Sequence, residues 1–230
     1  MKRYLITGAS RGIGRAIAEK LAAEDVTLLL HWRDTVALAE VCKAVKPRCG
    51  GVVRLTHDLA ITGGVSDLIA AAGSDPLNLL VNNAGIAIVK PFGEITPVEW
   101  EQTLGVNVTA PFLLTQRFAP KMPPGASIVN ILSIAAKTGF PNWSAYCMSK
   151  FALEGFSQSV REELQERKIR VINIYPAATN TEIWNNVEGD WPRNRMISAE
   201  QVASAIVYAL SRPADVTVEN ITLSSAAGNL

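Results

Sequence analysis

The sequence predicts a single α/β domain whose parallel sheet is covered by helices on both faces, and three observations carry that expectation. Short, strongly apolar runs such as Val26 to His31 and Ser127 to Leu132 alternate with longer stretches whose apolar residues recur at helical spacing. The first apolar run opens into Thr7-Gly-Ala-Ser-Arg-Gly-Ile-Gly14, a glycine-rich join between a strand and a helix. Hydrophobic residues make up 48% of the 230 and charged residues 19%, a balance rich in core and poor in solvated surface. That length suits one well-buried domain, residues 1–230, and is short for two.

Each element follows in turn. Tyr4 to Thr7 form the first strand, and helical spacing begins at Ile13. Between them, Gly8, Gly12 and Gly14 let the backbone approach a ligand, while the helix start offers unpaired N–H groups and a positive dipole to a pyrophosphate. Val26 to His31 form the second strand, and the residue after such a strand meets the adenosine ribose. A carboxylate there selects NAD, whereas an arginine pairs with the 2′-phosphate of NADP. Trp32 stands where the acid would be, Arg33 follows and Arg11 adds a second cation, so the expected cofactor is NADP(H). Asp34 reads as the N-cap of the next helix, although a register two residues away would make it an NAD selector.

Residues 52 to 57 form a third strand ending in Asp58-Leu59, where Asp58 either accepts from the adenine amino group or caps a helix. Leu77 to Val81 form a fourth strand that runs into Asn82-Asn83-Ala84-Gly85. Small residues there allow close approach to the adenine-side ribose, and the amides can tie neighbouring backbones together. A long helix is expected from about Pro97 to Phe118, with Pro111 in its interior. Proline has no N–H, so the Asn107 carbonyl loses its helical partner; the resulting kink is either structural or holds a water on a proton path from a buried lysine.

Ser127 to Leu132, the fifth strand, delivers Ser133 at its carboxyl end, where ligands of open parallel sheets collect. A helix from Ser144 to about Arg167 leads into a sixth strand, Arg170 to Tyr175, and then Pro176 to Thr181. Residues 182 to 197 break the alternation and carry Trp184, Asn185, Asn186 and Trp191, as a segment covering a substrate would. Ser198 to Leu210 and Val216 to Leu223 complete the chain as helix and strand.

Tyr146 and Lys150 lie four apart, one above the other on a helix face. A free phenol titrates near ~10, and an ammonium one turn away favours the phenolate, so Tyr146 is a candidate general acid or base. Taken alone, the spacing more often marks an ordinary helix-surface pair, and the rest of the chain has to carry the case for function.

Other function classes are excluded by composition. A net charge of +1 carries no electrostatic footprint for nucleic acid or an anionic membrane. Cys42, Cys49 and Cys147 are odd in number and contain no Cys-x-x-Cys, as expected of reduced thiols in a cytoplasmic protein. His31 and His57 lack metal-ligand spacing, so no metal is expected. The amino terminus does not read as a signal peptide, and no apolar stretch approaches the roughly 18 residues of a membrane span.

With Thr7-Gly8-x-x-x-Gly12-x-Gly14, Asn82-Asn83-Ala84-Gly85, Asn107, Ser133, Tyr146-x-x-x-Lys150 and Pro176-x-x-x-x-Thr181 in that order, the chain resembles the short-chain dehydrogenase/reductase family. The likeness is strong from residue 4 to about 181 and weak beyond. It implies a Rossmann-type doubly wound, seven-stranded parallel sheet of order 3-2-1-4-5-6-7 in three α/β/α layers. It also implies roles: Tyr146 as acid or base, Ser133 bonding the substrate oxygen, Lys150 lowering the Tyr146 pKa and gripping the nicotinamide ribose, and Asn107 holding a relay water. Cofactor contacts carry over to Gly8, Ser10, Arg11, Ile13, Gly14, Arg33, Asp58, Leu59, Asn83, Ala84, Gly85, Tyr146, Lys150, Pro176, Thr179 and Thr181.

Two departures stand out. Pro176-Ala177 replaces the family's usual Pro-Gly, which touches the contacts of Thr179 and Thr181, and the end reads Ser224-Ser-Ala-Ala-Gly-Asn-Leu230 without the usual glycine pair, which touches tetramer contacts. The resemblance implies a homodimer or homotetramer joined through the two long helices. The expected activity is hydride transfer between NADP(H) and a small or medium, largely apolar carbonyl or alcohol, because Ile86, Ile88, Phe140, Trp143 and Trp184 surround the site without an arginine beside them. Two rivals stay open: a cofactor-binding sensor without turnover, and reduction of a 3-ketoacyl group on an acyl carrier protein docked by Arg193 and Arg195.

Overall fold

The structure is a computed structural model and describes residues 1 to 228. Asn229 and Leu230, the end of the carboxyl-terminal departure, lie outside the described residues, as does the side chain of Asn186. Seven parallel strands form the main sheet: β1 (Lys2–Ile6), β2 (Val26–Trp32), β3 (Gly51–Thr56), β4 (Leu79–Asn82), β5 (Ser127–Ile131), β6 (Arg170–Pro176) and, last in the chain, β9 (Asn220–Leu223). Their spatial order is β3-β2-β1-β4-β5-β6-β9, so the expected doubly wound order is present, with β9 as its seventh strand. Two further strands, β7 (Thr179–Asn180) and β8 (Ile197–Ser198), pair in parallel as a separate small sheet.

Period-two alternation sends successive strand residues to opposite layers. Ile6, Leu28, Leu30, Val81, Val129 and Ile172 pack under α1 (Gly12–Leu21), α2 (Thr35–Val45) and α7 (Ala199–Leu210). Leu5, Leu29, Leu55, Leu80, Ile128 and Val171 face α3 (Thr62–Ala72), α5 (Ala110–Phe118) and α6 (Ser144–Leu164). Both faces being buried accounts for strands that read as near-continuous apolar runs.

Among the polar exceptions, four asparagines form one row. Asn82, Asn130, Asn173 and Asn220 stand in register across β4, β5, β6 and β9. Asn82 donates to Asn130 at 2.8 Å and Asn130 to Asn173 at 3.4 Å. Asn173 then donates to the Tyr175 hydroxyl at 3.3 Å, and that hydroxyl donates to the carboxylate of Glu154 on α6.

Most elements lie within a few residues of expectation, and three differ more in form or extent. The helix expected over 97–118 is α4 (Pro97–Leu104) and α5 joined by a π-helical segment, Gly105–Thr109, in which the Ala110 N–H donates to the Gly105 carbonyl. Pro111 cannot donate to Asn107, and a Cβ on Gly105 would lie 2.4 Å from the Ala60 carbonyl oxygen, so the wide turn accommodates both a missing donor and a close backbone neighbour. The last strand starts at Asn220 instead of Val216, because Arg161 bonds the carbonyls of Val171 and Glu219 where the ladder would otherwise continue. Residues 182–196, expected as irregular chain, contain two single turns, Glu182–Asn186 and Arg193–Arg195, closed at the base by the β7–β8 pair. Among the described residues no helix is long and apolar enough to cross a membrane, and no cluster of metal-binding side chains occurs.

Candidate active site

Loops at the carboxyl ends of the strands enclose a cleft of about 600 Å³. Its far end is built by the join after β1. Gly8 and Gly12 adopt positive φ of 67° and 53°, and a Cβ on Gly14 would sit 2.1 Å from the Gly8 carbonyl oxygen, so the first turn of α1 packs against the loop with no room to spare. The Asn83 amide holds the same loop, donating to the carbonyls of Thr7 at 2.8 Å and Gly8 at 3.0 Å. Thr7 returns the tie, its hydroxyl accepting from the backbone N–H groups of Asn83 and Ala84.

Beneath the loop lies a feature that motif reading missed. The Gly8 N–H donates to Nδ1 of buried His31 at 3.4 Å, which fixes the tautomer and leaves Nε2–H to donate to the His57 carbonyl at 2.9 Å. One neutral ring therefore joins the glycine loop to the end of β3, and burial pushes its pKa down to about 4. The signal was present in the sequence as a lone histidine at the end of an otherwise aliphatic strand.

This end fits a phosphorylated dinucleotide. The hydroxyl of Ser10, in a residue 4% exposed, has no partner among the described residues, and no side chain caps the first turn of α1. The Arg11 guanidinium stacks 5.1 Å from the Trp32 ring, and exposed Arg33 stands beside it on the cleft wall. Asp34 caps α2 by accepting from the Val36 N–H at 2.8 Å, as expected. Asp58 does not cap α3; it accepts from the Ala60 N–H two residues on, forming a local turn on the wall.

At the near end Ser133 and Lys150 both stand beside Tyr146, and Pro176, Thr179 and Thr181 line the same cleft. Lys150 is buried; its ammonium donates to the Ile131 carbonyl at 2.8 Å and lies 5.5 Å from the Tyr146 ring centroid. Burial pushes its pKa down to about 8. Burial also pushes the Tyr146 phenol up to about 12, against a smaller opposing pull from the Ser133 hydroxyl. Loss of water thus disfavours phenolate and ammonium alike in this cleft and outweighs the expected lowering of the phenol by Lys150.

Of the residues expected to touch a cofactor, Gly8, Arg11, Ile13, Arg33, Asp58, Leu59, Asn83, Ala84, Gly85, Pro176, Thr179 and Thr181 line the cleft together with Tyr146 and Lys150. Ser10, Gly14 and Asn107 are not among the residues that line it. Buried Asn107 works through its amide, which accepts from the Ile86 N–H at 2.9 Å and donates to the Ile86 carbonyl at 2.9 Å and to Ser149 at 3.0 Å. It thereby pins the chain after β4 to α6. Trp143, Trp184 and Trp191 form a row beside Tyr146.

Arg193 and Arg195, read from the sequence as a docking patch, are engaged within the chain. Arg193 bonds Asn180, the Thr181 carbonyl and Asn185, and Arg195 donates to the Ala227 carbonyl at 2.9 Å. Such long-range partners leave no local trace in a sequence.

Comparison with known proteins agrees with this geometry. The family model described as short chain dehydrogenase matches residues 2–191. An uncharacterized oxidoreductase of Staphylococcus saprophyticus is 31% identical over 229 residues, 96% of each chain. A 3-oxoacyl-[acyl-carrier-protein] reductase of Aquifex aeolicus is 32% identical over 225 residues, covering 91% of this chain and 90% of its own. Among solved structures, an angucycline C-6 ketoreductase with bound NADP superposes with a TM-score of 0.86 at 29% identity, over 97% of this chain and 94% of its own.

Proposed function

The chain belongs to the short chain dehydrogenase family of oxidoreductases, and on that premise we propose that it transfers a hydride between NADP(H) and a small or medium, largely apolar carbonyl or alcohol. The observation that supports this most is the convergence of Ser133, Tyr146 and Lys150 in a cleft whose other end offers Arg11 and Arg33. Both arginines suit the 2′-phosphate, and the NADP bound by the similar ketoreductase points the same way.

When bound, NADPH supplies the hydride to the carbonyl carbon. Tyr146, protonated at neutral pH, gives its proton to the carbonyl oxygen, so that one C–H and one O–H bond form as the carbonyl π bond breaks. Ser133 orients that oxygen, and the Lys150 ammonium beside the ring stabilises the phenolate as it appears. Asn107 acts here as a positioning residue, with its carbonyl, which Pro111 cannot serve, as the acceptor for a relay water. The same proposal takes the chain as one domain in the cytoplasm, with Cys42, Cys49 and Cys147 reduced, paired with further copies of itself.

The likeness to a 3-oxoacyl-[acyl-carrier-protein] reductase offers a second substrate. It is less well supported, because residues 182 to 197 set Glu182, Glu188 and Asp190 against Arg193 and Arg195, a charge balance that does not suit an acidic carrier. A sensor without turnover would leave the three convergent side chains unused.

NADPH oxidation with a panel of ketones tests the reading. Tyr146→Phe should lower kcat by about 100-fold or more with NADPH affinity retained, and equal rates for both proteins would refute the assigned acid. Arg33→Ala should narrow the ratio of kcat/KM for NADPH over NADH.

A further inference from the structure

We propose that the substrate's carbonyl bears an aromatic ring, seated against the indoles of Trp143 and Trp184. The inference rests on the hydride-transfer reading above and narrows it to aryl ketones and aldehydes.

Three indoles continue from the reacting phenol as an edge-to-face row. Trp143 meets Tyr146 at 5.5 Å between centroids and 71° between planes, Trp184 meets Trp143 at 5.7 Å and 63°, and Trp191 backs Trp184 at 4.8 Å and 48°. All three line the cleft. Ring quadrupoles favour this arrangement, and a planar ring entering beside Trp143 extends it.

Two of the three indole N–H groups in the row are already used. Trp184 Nε1–H donates to the Thr179 carbonyl at 2.9 Å, and Trp191 Nε1–H donates to the Glu188 carbonyl at 3.1 Å. These bonds lock both rings and turn their donors away from any ligand, so what they offer the cleft is π surface. Neighbouring walls are Ile86, Ile134 and Phe140. Arg195 also lines the cleft, one of its N–H groups bonded to the Ala227 carbonyl, and Glu182 lies toward Gly12 at the phosphate end. Along the Trp143 and Trp184 faces an aryl ring finds edge-to-face contacts already in place.

The decisive comparison uses two ketones of similar size and unlike π character, acetophenone and cyclohexyl methyl ketone, with NADPH. Wild type should show higher kcat/KM for acetophenone. Trp184→Leu should lower the aryl-to-cyclohexyl ratio about tenfold, the size of an aromatic pair contribution, while Trp184→Phe, which keeps a π face, restores most of it. Melting curves of both variants separate this from misfolding. Equal losses for the two ketones, or no aryl preference in wild type, would overturn the proposal. If neither ketone is reduced, the hydride-transfer reading falls separately, and calorimetric titration of each ketone into the enzyme with NADPH still decides: tighter aryl binding upholds the inference and equal binding sinks it.

Discussion

His31 shows how much one buried side chain can set. Its ring is neutral because both nitrogens are committed, Nδ1 accepting from the Gly8 N–H and Nε2–H donating to the His57 carbonyl, and because burial holds its pKa near 4. An unfolded chain would titrate this histidine near ~6.5, so below that pH the unfolded state binds the extra proton and stability falls. The contribution is fully present above ~6.5 and is lost as pH drops toward 4, amounting to roughly 2 to 3 kcal/mol by pH 4.5. Urea unfolding of wild type at pH 7.5, 6.0 and 4.5 should show that decline, and His31→Gln should flatten it. A profile unchanged by the substitution would mean that the ring is not the group responsible. Tyr146 makes the complementary point, since its proton affinity follows from burial and not from having a lysine one turn away.

Among elements, the helix bearing Pro111 repays the closest reading. Its π-helical segment turns the Asn107 amide toward Ile86 and Ser149, tying together the chain after β4 and the helix that carries Tyr146 and Lys150. Asn107→Ala would leave the part-buried N–H and carbonyl of Ile86 without these partners, at up to about 1–3 kcal/mol for each one orphaned. Hydrogen exchange should therefore speed up at the Ile86 amide together with a fall in melting temperature; unchanged protection there would show that the amide is not what holds this chain.

Strands and cleft residues were legible because apolar periodicity and glycine spacing are local properties of a sequence. Proline at 111 announced a distortion, but its π form depended on Ala60, far away in the chain. The β7–β8 pair and the anchoring of Arg193 and Arg195 were likewise hidden, being set by partners that only tertiary structure brings near. His31 was visible but carries no motif.

For the molecule as a whole, the outer face of α4, α5 and α6 is unusually apolar. Trp100 and Phe112 are each 41% exposed and Phe151 is 47% exposed, and Phe112 packs edge-on against Phe156 at 5.5 Å. Large aromatic residues grouped on one surface favour association, so sedimentation velocity should find a dimer or larger assembly. A double variant, Phe112→Glu with Phe151→Glu, should sediment as a monomer with unaltered circular dichroism; monomeric wild type would refute the assignment. The row of asparagines through β4, β5, β6 and β9 has a consequence at this same scale. Neighbouring parallel strands rich in Leu, Ile and Val could shift by two residues and keep every side chain on its proper face, but such a shift would strip the amides of their mates at about 1–3 kcal/mol apiece. Aliphatic packing decides which way the strands face, and the amide chain Asn82–Asn130–Asn173 fixes the register of β4, β5 and β6, beyond whose carboxyl ends Asn83, Ser133 and Thr179 enter the cleft.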